Sequence, residues 1–158
     1  MKYEENAEIV RNYLDANDWH YEIKEHDEAI SFVGGLESGS KVFKSFRFQL
    51  LVEDGYVQNF VVLPVGAGEK KAQIAEFIAR VNYPLKRARM DLDYRDGEIR
   101  CHHNVPIAAV KQDPETTLED VLFVPAALLS RYADGIAKIL FGDEDPETAY
   151  EECDGASK

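Results

Sequence analysis

The chain has little cysteine. Two thiols stand in 158 residues, Cys101 in a hairpin-like stretch and Cys153 in a polar C-terminal segment. A lone pair so placed makes no disulfide framework and suits reduced thiols in a cytoplasm. Long apolar runs are also missing: none approaches the ~20 residues that a membrane span needs. The opening MKYEENAEIV is acidic and has no apolar core, so no secretory signal is expected. Positive charge is scarce. Eighteen Lys and Arg face 30 Asp and Glu, a net charge of -12, which repels phosphate backbones and anionic lipid, so neither nucleic acid nor membrane is expected as a partner.

What is present suits one globular unit. Hydrophobic residues at 45% and charged residues at 30% exclude a disordered composition. A chain of this length buries roughly 70% of its extended surface. Residues 1–142 read as a single domain. The segment 143–158 holds seven acids and one lysine and reads as a flexible acidic tail with room for a short helix around Tyr150.

Periodicity orders the elements. Ile9, Val10, Tyr13 and Leu14 recur at helical spacing, predicting a helix over 4–16 that ends at Asn17 and Asp18. WHYEIKEHD and AISFVGG follow as strands, then a Gly/Ser-rich loop in GLESGSKV. FKSFRFQLLVEDGYVQNFVVLPV is a hairpin about Asp54-Gly55, expected as a type I′ turn. That register sets Val52 opposite Val57, Leu50 opposite Asn59, Phe48 opposite Val61 and Phe46 opposite Leu63 on a core face. The other face carries Arg47, Gln49 and Leu51 against Val62, Phe60 and Gln58. A solvent face should be polar, yet Leu51, Phe60 and Val62 make an apolar spot on it.

Ile74, Phe77, Ile78 and Val81 then predict a helix over 69–82, stopped by Pro84. Two strands follow about Asp96-Gly97. TTLEDVLFVPAALLSRYADGIAKILFG closes the domain, with Thr117 and Asp120 as a capping box and a break expected near Pro125. The order is helix, four strands, helix, two strands, helix. The chain shows no internal repeat. This is an α+β class, an antiparallel sheet with helices on one side.

Residues 90–107, MDLDYRDGEIRCHHNVPI, gather the reactive side chains. Centred on Asp96-Gly97, the register pairs Tyr94 with Ile99, Leu92 with Cys101, Met90 with His103 and Ala88 with Val105. On the other face it pairs Asp93 with Arg100, Asp91 with His102 and Arg89 with Asn104. Strand alternation sends Cys101 and His102 to opposite faces. Cys101 and His103 share a face but give two ligands where zinc takes three or four, so no metal is assigned. The acidic surroundings raise a thiol pKa, against a nucleophilic cysteine. Asp91 and Asp93 each gain a basic neighbour that keeps them ionised. PVGAGEKKA lacks the Lys-Ser/Thr of a phosphate loop and reads as a tight strand-to-helix turn, though Lys70 and Lys71 beside a helix start suit a loosely held anion.

The run RVNYPLKRARMDLDYRDGEIRCHHNVPI, followed by TTLEDVLFVPAALLSRYADGIAKILFG, resembles the YbjN-type domain, a bacterial family labelled as sensory-transduction regulators. Asn82, Leu92, Asp93, Asp96, Gly97 and Ile99 carry the likeness. It implies a fold similar to that of type III secretion chaperones, which are small, acidic, usually dimeric proteins that bind extended segments of other proteins. It supplies no catalytic residues and implies three early strands where this chain shows four. The expectation is a non-enzymatic, chaperone-like protein-binding or regulatory domain. It needs no cofactor, and its partner is a client or a second copy as a homodimer, met at Leu51, Phe60 and Val62. The alternative is a small-ligand binder or enzyme with a site between helix and sheet near Lys70, His102 or His103.

Overall fold

The computed structural model describes residues 2–155. Within them the chain runs α1 (Lys2–Ala16), β1 (Glu22–His26), β2 (Ala29–Glu37), β3 (Ser45–Val52), β4 (Tyr56–Val62), a 3₁₀ turn (Gly68–Lys70), α2 (Lys71–Asn82), β5 (Arg89–Leu92), β6 (Ile99–Pro106), α3 (Ile107–Gln112), α4 (Pro114–Gly142) and α5 (Pro146–Gly155). This is an α+β fold. The sheet is open and antiparallel, ordered β1-β2-β3-β4-β6-β5.

Alternation sorts the strands into two faces. Inward residues Phe32, Phe48, Leu50, Val57, Val61, Ile99 and Cys101 are fully buried. They meet α1 through Val10 and Leu14, α2 through Ile74 and Phe77, and α4 through Leu118, Val121, Leu122, Leu129 and Ile136. Among the described residues, the outward face carries no helix.

The β3–β4 register is the expected one, with Val52 on Val57, Leu50 on Asn59 and Phe48 on Val61; the ladder ends at Arg47 on Val62, one pair short of Phe46 and Leu63. The turn is not type I′, because neither Asp54 nor Gly55 has positive φ. Tertiary bonds hold it instead. The Asn6 side chain in α1 donates to the carbonyls of Glu53 at 2.9 Å and Asp54 at 3.1 Å. The Ile107 amide donates to the Gly55 carbonyl at 2.9 Å.

The second hairpin corrects its expected register by two residues. Leu92 pairs with Ile99, Met90 with Cys101, Asp91 with Arg100 and Arg89 with His102. The loop is wider than two residues: the Asp93 amide donates to the Glu98 carbonyl at 3.0 Å and the Gly97 amide to the Asp93 carbonyl at 2.7 Å. Gly97 sits at φ 80°, and its carbonyl accepts from the Ala67 amide at 2.8 Å. That contact with the loop before α2 favours the wider turn over the two-residue one. A shift of two preserves which face each side chain takes.

Two further expectations are overturned. Pro125 does not break its helix: α4 is continuous from Pro114 to Gly142. Proline lacks the N–H that would serve the Val121 carbonyl. Asn59, fully buried on β4, supplies the missing donor, with Nδ2 at 3.2 Å from the Val121 carbonyl and 3.3 Å from that of Leu122. The helix is capped by Asp113, whose carboxylate accepts from the Thr116 amide at 3.2 Å; Thr117 instead donates its hydroxyl to the Ala109 carbonyl at 3.1 Å. The acidic segment after Asp143, read as a tail with room for a short helix around Tyr150, is helical over Pro146–Gly155, and its last three residues lie outside those described. Ala149 is fully buried, Tyr150 stacks on Tyr132 with ring centroids 6.1 Å apart, and Arg80, Arg131 and Lys138 pair with Glu147, Asp154 and Glu152. Gly135 makes this docking possible: a Cβ there would lie 2.7 Å from the Cys153 sulfur.

Candidate functional site

Pairing across β3, β4 and β6 brings one set of outward residues together. They are Arg47, Gln49 and Leu51, then Gln58, Phe60 and Val62, then Arg100, His102 and Asn104. Leu51, Phe60 and Val62 are all half-buried and lie on the bare face. No helix or loop among the described residues screens them. Side chains of β6 do so in part: the His102 ring stacks on Phe60 at 4.6 Å and 19°, and the Arg100 guanidinium lies 4.3 Å from the Phe60 centroid. Contacts of this type contribute about 0.5–1 kcal/mol at an exposed site. Beside Val62 the surface sinks into a hollow of about 850 Å³ lined by Tyr21, Val33, Gly35, Arg47 and Pro64. Gly35 points outward with no side chain, which leaves that space open.

Charge on this band differs from that of the whole chain. The outward strand positions of β3, β4 and β6 hold Arg47 and Arg100 and no acid. Acids sit at the flanks. Asp91 on β5 accepts from Arg89 at 3.0 Å and from Arg100 at 3.3 Å, so among the described residues Arg100 is partly neutralised and Arg47 is not. Arg100 is the residue that the two-residue register shift hid, since Asp93 was its expected partner. Asp93 pairs with Arg95 at 2.8 Å, and that guanidinium with the Arg95 backbone amide lowers its carboxyl to about 2.

The reactive cluster is dispersed. Cys101 faces the core, fully buried, and burial pushes its thiol well above the usual range. His103 also faces inward and meets Asp120 of α4 at 3.1 Å. His102 faces outward but is only 5% exposed. Its tautomer follows from its neighbours. Gln58 donates its amide to Glu53 at 2.6 Å, so its carbonyl must be the group 2.8 Å from His102 Nε2, and that nitrogen carries the proton. Nδ1 is left without a hydrogen-bond partner among the described residues, 4.0 Å from Asp91. Burial, aided by Arg89 and Arg100 and opposed by Asp91, lowers the imidazole to about 4, so it takes up no proton near neutrality. Lys70, the expected anion contact, is ion-paired with Asp143 at the end of α4. Lys70, His102 and His103 therefore do not converge. Among the described residues, no three His, Cys, Asp or Glu side chains are grouped to hold a metal ion, and no helix is long and apolar enough to cross a membrane.

No protein-family model matches the chain, and no curated protein matches it.

A second concavity lies on the helical side, between the β2–β3 loop, α4 and α5. Sequence reasoning missed it because one wall belongs to α5, which high acidity disguised as a tail. The available signal was apolar: Ala149, Tyr150 and Cys153 recur at helical spacing through the charges.

Proposed function

We propose that this is a non-enzymatic protein-binding domain that uses the bare face of its sheet, centred on Leu51, Phe60 and Val62. The observation that supports it most is the combination on β3, β4 and β6 of half-buried apolar side chains with two arginines and no acid. A contiguous apolar patch rimmed by polar groups marks an interface more often than a solvated face. Arg47 and Arg100 favour an acidic stretch on the partner, and aromatic and arginine side chains are those enriched where interfaces hold tightest. The partner is a client protein or a second copy of the chain. The resemblance to YbjN-type domains and type III secretion chaperones points the same way, toward a small acidic protein that binds other proteins.

The test is Phe60→Glu in the full chain. Light scattering gives the mass in solution relative to 17.9 kDa, and affinity purification gives the proteins retained. The variant should keep the wild-type circular dichroism while losing self-association or the retained partner. A variant with unchanged mass and unchanged retention would place the interface elsewhere.

A further inference from the structure

The concavity between the β2–β3 loop, α4 and α5 measures about 600 Å³, within the roughly 300–1,000 Å³ usual for small-molecule sites. Its apolar walls are Val42, Gly135, Ala137 and Phe141, with the Cys153 thiol among them. Val42 is 52% exposed and Phe141 66% exposed, a costly placement for two large apolar groups facing one cleft.

The loop carrying Val42 is held firmly. Ser40 Oγ accepts from the amides of Val42 and Phe43, both at 3.0 Å, and donates to Asp134 at 2.5 Å. The Lys41 amide donates to the same carboxylate at 3.0 Å, and the Gly39 amide to Ser130 at 3.0 Å. The wall is thus preformed rather than a collapsible flap.

Charge selects the occupant. Lys41, Arg131 and Lys138 line the cleft against Asp134 and Glu152. Asp134 is occupied by the loop, Glu152 by Lys138, and Arg131 by Asp154. The Lys41 ammonium has no ion pair among the described residues, on a chain where acids outnumber bases 30 to 18. An ammonium left at the mouth of an apolar cleft matches a molecule with an apolar body and one anionic head.

We propose that this cleft binds a small amphipathic carboxylate, its alkyl chain against Val42, Ala137 and Phe141 and its head at Lys41. The site is separate from the sheet face and does not depend on the protein-binding reading.

Cys153 supplies the assay. It is half-buried at the cleft while Cys101 is fully buried, so a neutral alkylating agent acting on the native full chain reports on Cys153. Iodoacetamide labelling at pH 8.5 would be followed by intact mass, with decanoate below its micelle concentration and decanol as the uncharged probe. Decanoate should slow single labelling at least fivefold, saturably. Lys41→Gln should raise the concentration of decanoate needed about tenfold and leave decanol unaffected. Val42→Asp should abolish protection. Both side chains are exposed on the loop, so neither substitution threatens the fold. Labelling indifferent to decanoate would overturn the site. Protection by decanol equal to that by decanoate, with the decanoate requirement unchanged in Lys41→Gln, would overturn the carboxylate assignment.

Discussion

Asn59 and Pro125 should be energetically coupled across the core. Pro125 leaves the Val121 carbonyl without its helical donor, and Asn59 Nδ2 reaches it at 3.2 Å from the centre of the sheet. A buried carbonyl left unpaired costs about 1–3 kcal/mol. Asn59→Leu removes that donor but also removes Asn59 Oδ1, itself buried with no partner among the described residues. The single substitution therefore mixes a loss with a gain, and its sign alone decides nothing. The double-mutant cycle isolates the link. In Pro125→Ala the residue-125 amide returns and serves Val121, so the donor from Asn59 becomes redundant. Asn59→Leu should then cost about 1–2 kcal/mol less in the Pro125→Ala background than in the wild-type chain. Urea unfolding reads this directly. At a slope of about 2 kcal/mol/M, the coupling is a difference of about 0.5–1 M in midpoint shift. Additivity within about 0.3–0.5 kcal/mol would refute the assignment of Asn59 as the proline's surrogate donor.

Asn82 caps the edge strand β5, donating to the Met90 carbonyl at 2.9 Å and accepting from its amide at 2.9 Å. Asn82→Leu should lower stability by about 2–3 kcal/mol and raise aggregation on incubation, read by thermal unfolding and turbidity; an unchanged melting curve would dismiss the cap. His102 is held to about 4, below its ordinary 6.5. The unfolded chain then binds a proton first as pH falls, so stability present above pH 6.5 is lost on the way down to about 4. The loss is about 2–3 kcal/mol after some solvent screening. His102→Gln should flatten that stretch of the stability profile, and an NMR titration giving a value near 6.5 would contradict it. Gly135→Ala pushes a methyl group toward the Cys153 sulfur and the Phe77 ring. Overpacking of this kind costs about 1–3 kcal/mol, and it should speed alkylation of Cys153 while leaving Cys101 protected; equal rates in both proteins would show that α5 is not seated on Gly135.

Local patterns carried much of this fold into view. The period of two in FRFQLLV and YVQNFVV, with Asp54-Gly55 between, gave the right register, although the turn owes its shape to Asn6 and Ile107 rather than to I′ geometry. Face assignment survived the slip at β5–β6, because a shift of two leaves alternation intact. The errors came from long-range partners. Nothing near Pro125 announces that Asn59, 66 positions earlier, will serve the orphaned carbonyl. Nothing in DEDPETAYEECDG states that Arg80, Arg131 and Lys138 await its acids. The apolar spot on the sheet was readable because neighbours along a strand pair define it. The cleft beside α5 was not, since it exists only after three distant segments meet.

The placement of α4 has a bearing on synthesis. Val57 and Val61 on β4 are covered by a helix whose first buried contact, Leu118, is made 56 positions after β4 ends at Val62. At ~5–20 residues per second, a ribosome needs roughly three to eleven seconds for that stretch. Through that interval α1 and α2 shelter only part of the oily face of the nascent meander, and the β4 side of it waits for α4.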